Sequence, residues 1–521
     1  MLAPLQVLEQ LRARLDETLA LLPLAQADGF VSLILELPHS VTIAPELPVP
    51  VPQFQFAHNH REELRAGYGC AAEWRTAGAA RLPELRALVR AATANWAQID
   101  PDETGFVGFG MLGFAAAPDL KSPQPADLKS PQPPFFKGGL DASFSNGGLD
   151  AAHFEKGTFK SPPFEKGTAL SPPFEKGGAG GISSAFPNAL FWLPELALCG
   201  QAGQAALILT TALPIPLETL RPRWQHWLDQ IVPLLAQGAL DPLTSAHLER
   251  GLSEPDAATW QRLVNTALAD IAHGDLEKVV LGRRLRLEGQ RRFDLTRLNA
   301  ALSYLFPSCQ LINIRREATS FVAATPERLF TQHRDRIEAD ALAGTICRAE
   351  DAERDANLTL TLQHCDKNRR EHQVVVDAVT SALRQCCLQL APPEGPRILQ
   401  LNNAQHLWSI VRGQLRPEMD VFRLAELLHP TPATNGQPRQ SARDWLQRNE
   451  PLARGWYTGA AGIVTPDFTG ELWVLLRCAQ IKERVADLYA GAGIVAGSDP
   501  ASEWQETEHK LAAMLTALQF A

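Results

Sequence analysis

Apolar and polar residues follow two periods along this chain, interrupted by one stretch that has neither. Residues 1–24 (MLAPLQVLEQLRARLDETLALLPL) space their apolar positions as an amphipathic helix does. FVGFGMLGF (106–114) and ALFWLPELALC (189–199) are compact apolar runs of strand character. From Pro118 to about Gly181 the periodicity vanishes. DLKSPQP occurs at 119–125 and 127–133, SPPFEKG at 161–167 and 171–177, and HFEKG at 153–157 is a relative. Repeats this short and proline-rich cannot bury a shared core, so 118–183 reads as a low-complexity, disordered insertion. Loop closure costs only the logarithm of loop length, so the insertion can hang between neighbouring strands. Residues 1–117 and 184–254 are then the N-terminal part of one fold with 255–521.

In the second half, LSEPDAATWQRLVNTALADIAHGDLEKVVLGRRLRLE (252–288) reads as cap, amphipathic helix, glycine stop and strand. Ser253 and the acids after it suit the helix start, and Gly274 its stop. Further strand candidates are QLINIRR, SFVAATP, RIEADAL, GAAGIVT, ELWVLLRCAQI and VADLYAGAGIV. Long helices are expected over 350–390 and 500–518. Strands in succession with helices grouped between them favour an α+β fold over a doubly wound sheet.

Composition narrows the function classes. Apolar residues are 45% and charged residues 21% of the chain, the balance of a soluble globular protein. The net charge of −9, with no Lys/Arg block, argues against nucleic acid or an anionic membrane as partner. There is no signal-peptide core and no run of about 18 apolar residues. The 8 cysteines form no CxxC pair, which points to reduced thiols and a cytoplasmic setting. No GxGxxG or P-loop pattern is present, and no redox cofactor is expected.

Two helices carry carboxylates where apolar residues belong. Glu371 is followed by Val374, Val375, Ala378, Val379 and Ala382, so it shares their helix face. A buried carboxylate is costly unless it is paired or bound to metal. A salt bridge to Arg or Lys satisfies the pattern equally well. In GSDPASEWQETEHKLAAML (497–515), Asp499 suits the N-cap and Pro500 the first helical position. Glu503, Glu506 and Lys510 fall on one face that continues through Ala513, Met514 and Ala517. Glu506 and Lys510 also have the spacing of a surface ion pair. Two acidic faces can meet around magnesium, which takes oxygen ligands and shares one or two carboxylates with an anionic substrate. Spacing leaves both possibilities open.

From about 255 onward the chain resembles the chorismate-utilising enzyme family, which includes isochorismate, salicylate, anthranilate and aminodeoxychorismate synthases. The motifs, in order, are EKVVLGR (277–283), AATPERL (323–329), ALAGT (341–345), REHQVVVD (370–377), QHLWS (405–409), LLHPTPATNG (427–436), GWYTGAAGIV (455–464), LRCAQI (476–481), YAGAGIV (489–495) and SEWQETEHKL (502–511). The resemblance implies two antiparallel sheets flanked by helices, with the site between them. It implies Mg²⁺ held by Glu371 and Glu506, with Glu503 on a metal-bound water. It implies that Arg477, Tyr457, Lys510 and the backbone at Gly344 and Gly491 hold the carboxylates of chorismate, with Thr345 and His406 lining the pocket. A dianion needs such fixed cations and N–H groups.

Two positions discriminate within the family. Lys278 matches members that add water to chorismate, and the resemblance makes it the general base, with Glu327 the acid that protonates the departing C4 hydroxyl. Ala433, in HPTPATNG, resembles isochorismate synthases, where salicylate and anthranilate synthases usually carry threonine. Ala343 stands where aminodeoxychorismate synthases often place a nucleophilic lysine. The implied activity is a hydroxymutase interconverting chorismate and isochorismate, without a glutaminase subunit. Quinone synthesis is the favoured destination; salicylate synthase or a siderophore pathway is the alternative.

Overall fold

The computed structural model describes residues 4–25, 28–38, 52–117, 185–236, 247–402 and 404–521. The insertion expected at 118–183 lies outside the described residues. Two large sheets, of 13 and 10 strands, organise the described residues. Among the described residues every strand pair is antiparallel except Gly29–Leu37 with Trp96–Ile99. This is the α+β architecture expected from the strand pattern.

Both sheets draw strands from both ends of the chain. In the larger, Gln53–His58 pairs with Gln310–Arg316. In the smaller, Gly110–Phe114 pairs with Ala460–Val464. An aromatic-rich core including Phe54, Phe56, Trp192, Phe321, Trp456 and Trp473 draws on both sheets. Helices cover the remaining faces. Pro4–Thr18 and Leu217–Ile231 bury Leu11, Leu15, Trp224 and Leu228 against the N-terminal part of the larger sheet. Leu295–Leu305 and Pro500–Leu518 cover its C-terminal part. Arg81–Ala92, Asp366–Cys386 and Val421–Leu428 pack on the smaller sheet.

Local rules explain most boundaries. The C-terminal helix begins as expected: Asp499 accepts from the Ser502 amide at 2.8 Å, and Pro500 needs no N–H partner there. Gly274 ends the helix Ala257–His273 at φ 88°, where glycine carries no Cβ penalty. Four expectations need correction. ELWVLLRCAQI is two strands, Gly470–Val474 in the smaller sheet and Cys478–Lys482 in the larger, and ALFWLPELALC divides the same way into Ala189–Leu193 and Leu196–Gln201. Ser253 does not start the helix Ala257–His273; it pairs with Leu285 in the edge strand Leu248–Glu254. Pro255 disfavours helical geometry at Glu254, so Asp256 takes the cap and accepts from the Thr259 amide at 2.7 Å. The long helix over 350–390 is two helices, Ala352–His364 and Asp366–Cys386, separated at extended Cys365. Asp366 suits a helix start better than a helix interior.

Candidate active site

Lys278 opens the strand Lys278–Gly289, which runs antiparallel to Val485–Ile494. Its side chain is 1% exposed, and Nζ donates to Glu371 Oε1 at 2.9 Å. Glu371 sits on the flank of the buried face formed by His372, Val375, Val376 and Val379. The pair therefore joins a strand of the larger sheet to a helix on the smaller one. Gly493 makes this meeting possible. A Cβ there would lie 2.8 Å from Glu371 Oε1 and 2.9 Å from Lys278 Cε. Burial alone would raise the Glu371 carboxyl, but Lys278, with help from Lys510 and Lys367, holds it below its ordinary range.

The C-terminal helix brings the other acids to the same place. Glu503 is 2% exposed and accepts from Lys367 Nζ at 2.8 Å. Burial, then the neighbouring Glu506, push the Glu503 carboxyl up. Glu506 accepts from Lys510 Nζ at 2.6 Å, and the same ammonium reaches the Gly491 carbonyl at 2.8 Å. Lys367, paired with Glu503, also feels the charges of Glu371 and Glu506.

The structure thus shows the salt-bridge arrangement for each acid, with a lysine on each. Among the described residues no three His, Cys, Asp or Glu side chains form a ready-made metal cage. Glu371 on one helix and Glu503 and Glu506 on another nonetheless offer the oxygen donors that a magnesium ion takes when it shares its coordination with a bound anion.

Arg477, His406 and Thr345 form a second group. Arg477 adopts φ 47°, a left-handed conformation uncommon for a side-chain-bearing residue. Its Nη2 lies 3.4 Å from His406 Nε2, and His406 Nδ1 lies 3.0 Å from Thr345 Oγ1. Arginine only donates, so Nε2 is bare and Nδ1–H donates to the threonine. Burial, reinforced by Arg477 and Lys510, lowers the His406 pKa well below its usual range, consistent with the neutral ring. Gly344 occupies the bulge between Ala343 and Thr345 at φ 74°, which takes it out of the regular ladder with strand Ala404–Leu415.

Tyr457 stacks on Tyr489, with ring centroids 5.3 Å apart. Its hydroxyl abuts Gly491, where a Cβ would come within 2.6 Å of it. Thr345, Arg477, Glu506 and Lys510 line one cavity of about 450 Å³, a size that suits a small ligand.

Glu327 follows the strand Thr319–Thr325 and is 4% exposed. Burial and the nearby Asp340 push its carboxyl up to about 7, against the opposing pull of Lys278 and Arg477. It therefore holds a proton near neutrality within the field of both cations. Ala433 is partly buried on the turn after Val421–Leu428 and packs against the apolar core.

The expected residues fall into connected groups: Lys278 with Glu371, Glu506 with Lys510 and Gly491, and Arg477 with His406 and Thr345. Glu327 is linked to the first and last of these by its field. Ala433 is not tied to them by a polar contact, as its side chain has none to make. Sequence reasoning missed Lys367 and Gly493. Lys367 stands four residues before Glu371, a spacing that marks a helix-face neighbour. Gly493 alternates with Gly491, so both glycines share one face of their strand.

The family described as chorismate binding enzyme matches residues 171–519 of the chain. Isochorismate synthase MenF of Bacillus subtilis is 35% identical over 265 residues, 51% of this chain and 56% of that protein. Isochorismate synthase MenF of Escherichia coli is 36% identical over 284 residues, 54% of this chain and 65% of its own length. The salicylate biosynthesis isochorismate synthase of Pseudomonas aeruginosa is 36% identical over 271 residues, covering 51% and 56%. The aligned regions thus span 56% to 65% of these relatives' lengths. Among solved structures, the menaquinone-specific isochorismate synthase MenF of E. coli superposes with a TM-score of 0.71 at 24% identity, covering 99% of this chain and 100% of that one. Anthranilate synthase component I of Streptococcus pneumoniae gives 0.53 at 22% identity, covering 63% and 74%. At these identities the structures speak to the fold.

Proposed function

The chain belongs to the chorismate binding enzyme family, and from that premise we propose that it is an isochorismate synthase, an isomerase exchanging the C4 hydroxyl of chorismate for one at C2. The observation that carries this reading is a buried carboxyl, Glu327, whose proton is held up to about 7 by burial and Asp340, and which feels the charge of the buried Lys278. Water addition needs a base and hydroxyl departure needs an acid, and these two groups supply them. Lys278, as the free amine, takes a proton from water as its oxygen bonds to C2. The ring double bonds shift, and Glu327 gives its proton to the leaving C4 hydroxyl. Glu371 can serve either Lys278 or a metal ion.

Arg477, Lys510 and Tyr457, with the backbone at Gly344 and Gly491, hold the two carboxylates, and His406, Thr345 and Ala433 shape the pocket. Glu371 and Glu506 are the residues to hold Mg²⁺ directly, with Glu503 acting through water; the ion would orient the ring carboxylate and offset its charge. Quinone synthesis is the proposed destination, in keeping with the menaquinone-specific description of E. coli MenF, with siderophore supply as the alternative.

The test is chromatography of products after incubation with chorismate and Mg²⁺. Isochorismate alone is expected; salicylate with pyruvate, or anthranilate in the presence of ammonium, would overturn the assignment. In the same assay Lys278→Ala and Glu327→Gln should each lose about 10²–10⁴-fold in kcat while still binding chorismate. Parental turnover in either variant removes that residue from the mechanism.

A further inference from the structure

Arg454 lies outside every group described above, yet it is 5% exposed and carries a full charge. It is paired with Glu450, whose side chain is 4% exposed. Nε donates to Glu450 Oε2 at 2.6 Å and Nη2 to Glu450 Oε1 at 2.8 Å. The remaining donors go elsewhere: Nη2 to the Val280 carbonyl at 2.6 Å, Nη1 to the Thr434 carbonyl at 2.8 Å and to Thr458 Oγ1 at 3.3 Å. Every donor of the guanidinium is used. Glu450 Oε1 also accepts from the Gly282 amide at 2.6 Å.

The destinations are what matter. Val280 is two residues from Lys278, Thr434 follows Ala433, and Thr458 follows Tyr457. Three segments remote in sequence, each bearing a residue proposed for the site, are bolted to one planar cation. Stability alone is a poor reason for this design, because buried ion pairs can often be replaced by apolar groups without loss. Lysine could not substitute, since it lacks the fixed fork that reaches three directions at once.

We propose that Arg454, braced by Glu450, is a positioning residue for the reaction, setting Lys278, Ala433 and Tyr457 in register. The proposal rests on the isochorismate synthase reading for its kinetic test but not for its structural one. In the full chain, Arg454→Lys should keep the KM for chorismate within about threefold while kcat falls on the order of 10²-fold, well below the variant's melting temperature. A lowered Tm with kcat within about twofold of the parent would reduce Arg454 to a stability role and overturn the proposal. Should Arg454→Lys fail to fold, Glu450→Gln is read in the same way, and failure of both to fold also overturns it.

If the parent chain does not convert chorismate, it is the functional reading that falls, and amide exchange then decides. The Val280, Asn435 and Thr458 amides donate to Asn435, Thr431 and Leu475 carbonyls at 3.0 Å each. Arg454→Lys, or Glu450→Gln in its place, should speed exchange at all three together; a change confined to one would overturn the proposal.

Discussion

A general acid must hold its proton at working pH and still be able to give it up. Glu327 meets both conditions because burial and Asp340 raise its carboxyl to about 7 while Lys278 and Arg477 restrain the rise. The same shift has a cost in stability. Between its ordinary value of 4.5 and about 7, the folded chain binds more protons at this residue than the unfolded chain does. Its contribution to stability is therefore fully present below the lower value and is lost as pH climbs through the upper one. Glutamine keeps the shape and never ionises. The Tm advantage of Glu327→Gln over the parent should accordingly be larger at pH 8 than at pH 5, as read by calorimetry. An equal difference at both values would mean that Glu327 is not proton-bearing in the fold.

At the scale of elements, what the sequence disclosed was what local physics determines. The C-terminal helix was legible because its cap, its first-position proline and its acidic face all lie within one stretch, Asp499 to Lys510. The insides of the acid sites were not. Lys278 and Glu371 are 93 residues apart, and Lys367 and Glu503 are 136 apart, so no periodicity announces either pair. Helix-face reasoning could place Glu371 on an inward face but not choose its partner. Lys278 carries no such mark and stands out only in the family motif EKVVLGR; the packing of sheet against helix, through the space left at Gly493, is what brings the two side chains together.

The cap offers a test at this scale. Asp499→Ala and Asp256→Ala should each cost about 1 kcal/mol, a Tm drop of roughly 1–3 °C in a chain of this size. Only the first helix carries Glu503, Glu506 and Lys510, so only Asp499→Ala should also raise the KM for chorismate. Equal kinetics in the two variants would show that the helix start does not set the position of these acids.

For the whole molecule, the question is how the described residues on either side of 118–184 make one fold. The answer lies in how the described ends meet. Phe114 pairs with Ala189 across adjacent strands. Beyond them the Ala115 amide donates to the Asn188 carbonyl at 2.9 Å, and Asn188 Nδ2 returns a bond to the Ala117 carbonyl at 2.9 Å. The Ala116 amide reaches the Gly455 carbonyl at 3.2 Å, tying this seam to the segment that carries Tyr457. The ladder is thus closed by contacts made entirely outside residues 118–184.

Both sheets, by contrast, depend on strands from either side of residues 118–184, as the pairings of Gln53–His58 with Gln310–Arg316 and of Gly110–Phe114 with Ala460–Val464 show. Cutting the chain near residue 254 would expose long unpaired edges in both sheets, whereas removing 119–180 would leave every described pair in place. Closure entropy changes only slowly with loop length, so a short connector serves as well as a long one. Deletion of 119–180 should therefore leave kcat and KM within about twofold of the parent and Tm within about 2 °C. A deletion variant that folds but does not turn over would assign the repeats a part in the site that the closed seam at Ala115–Asn188 gives no reason to expect.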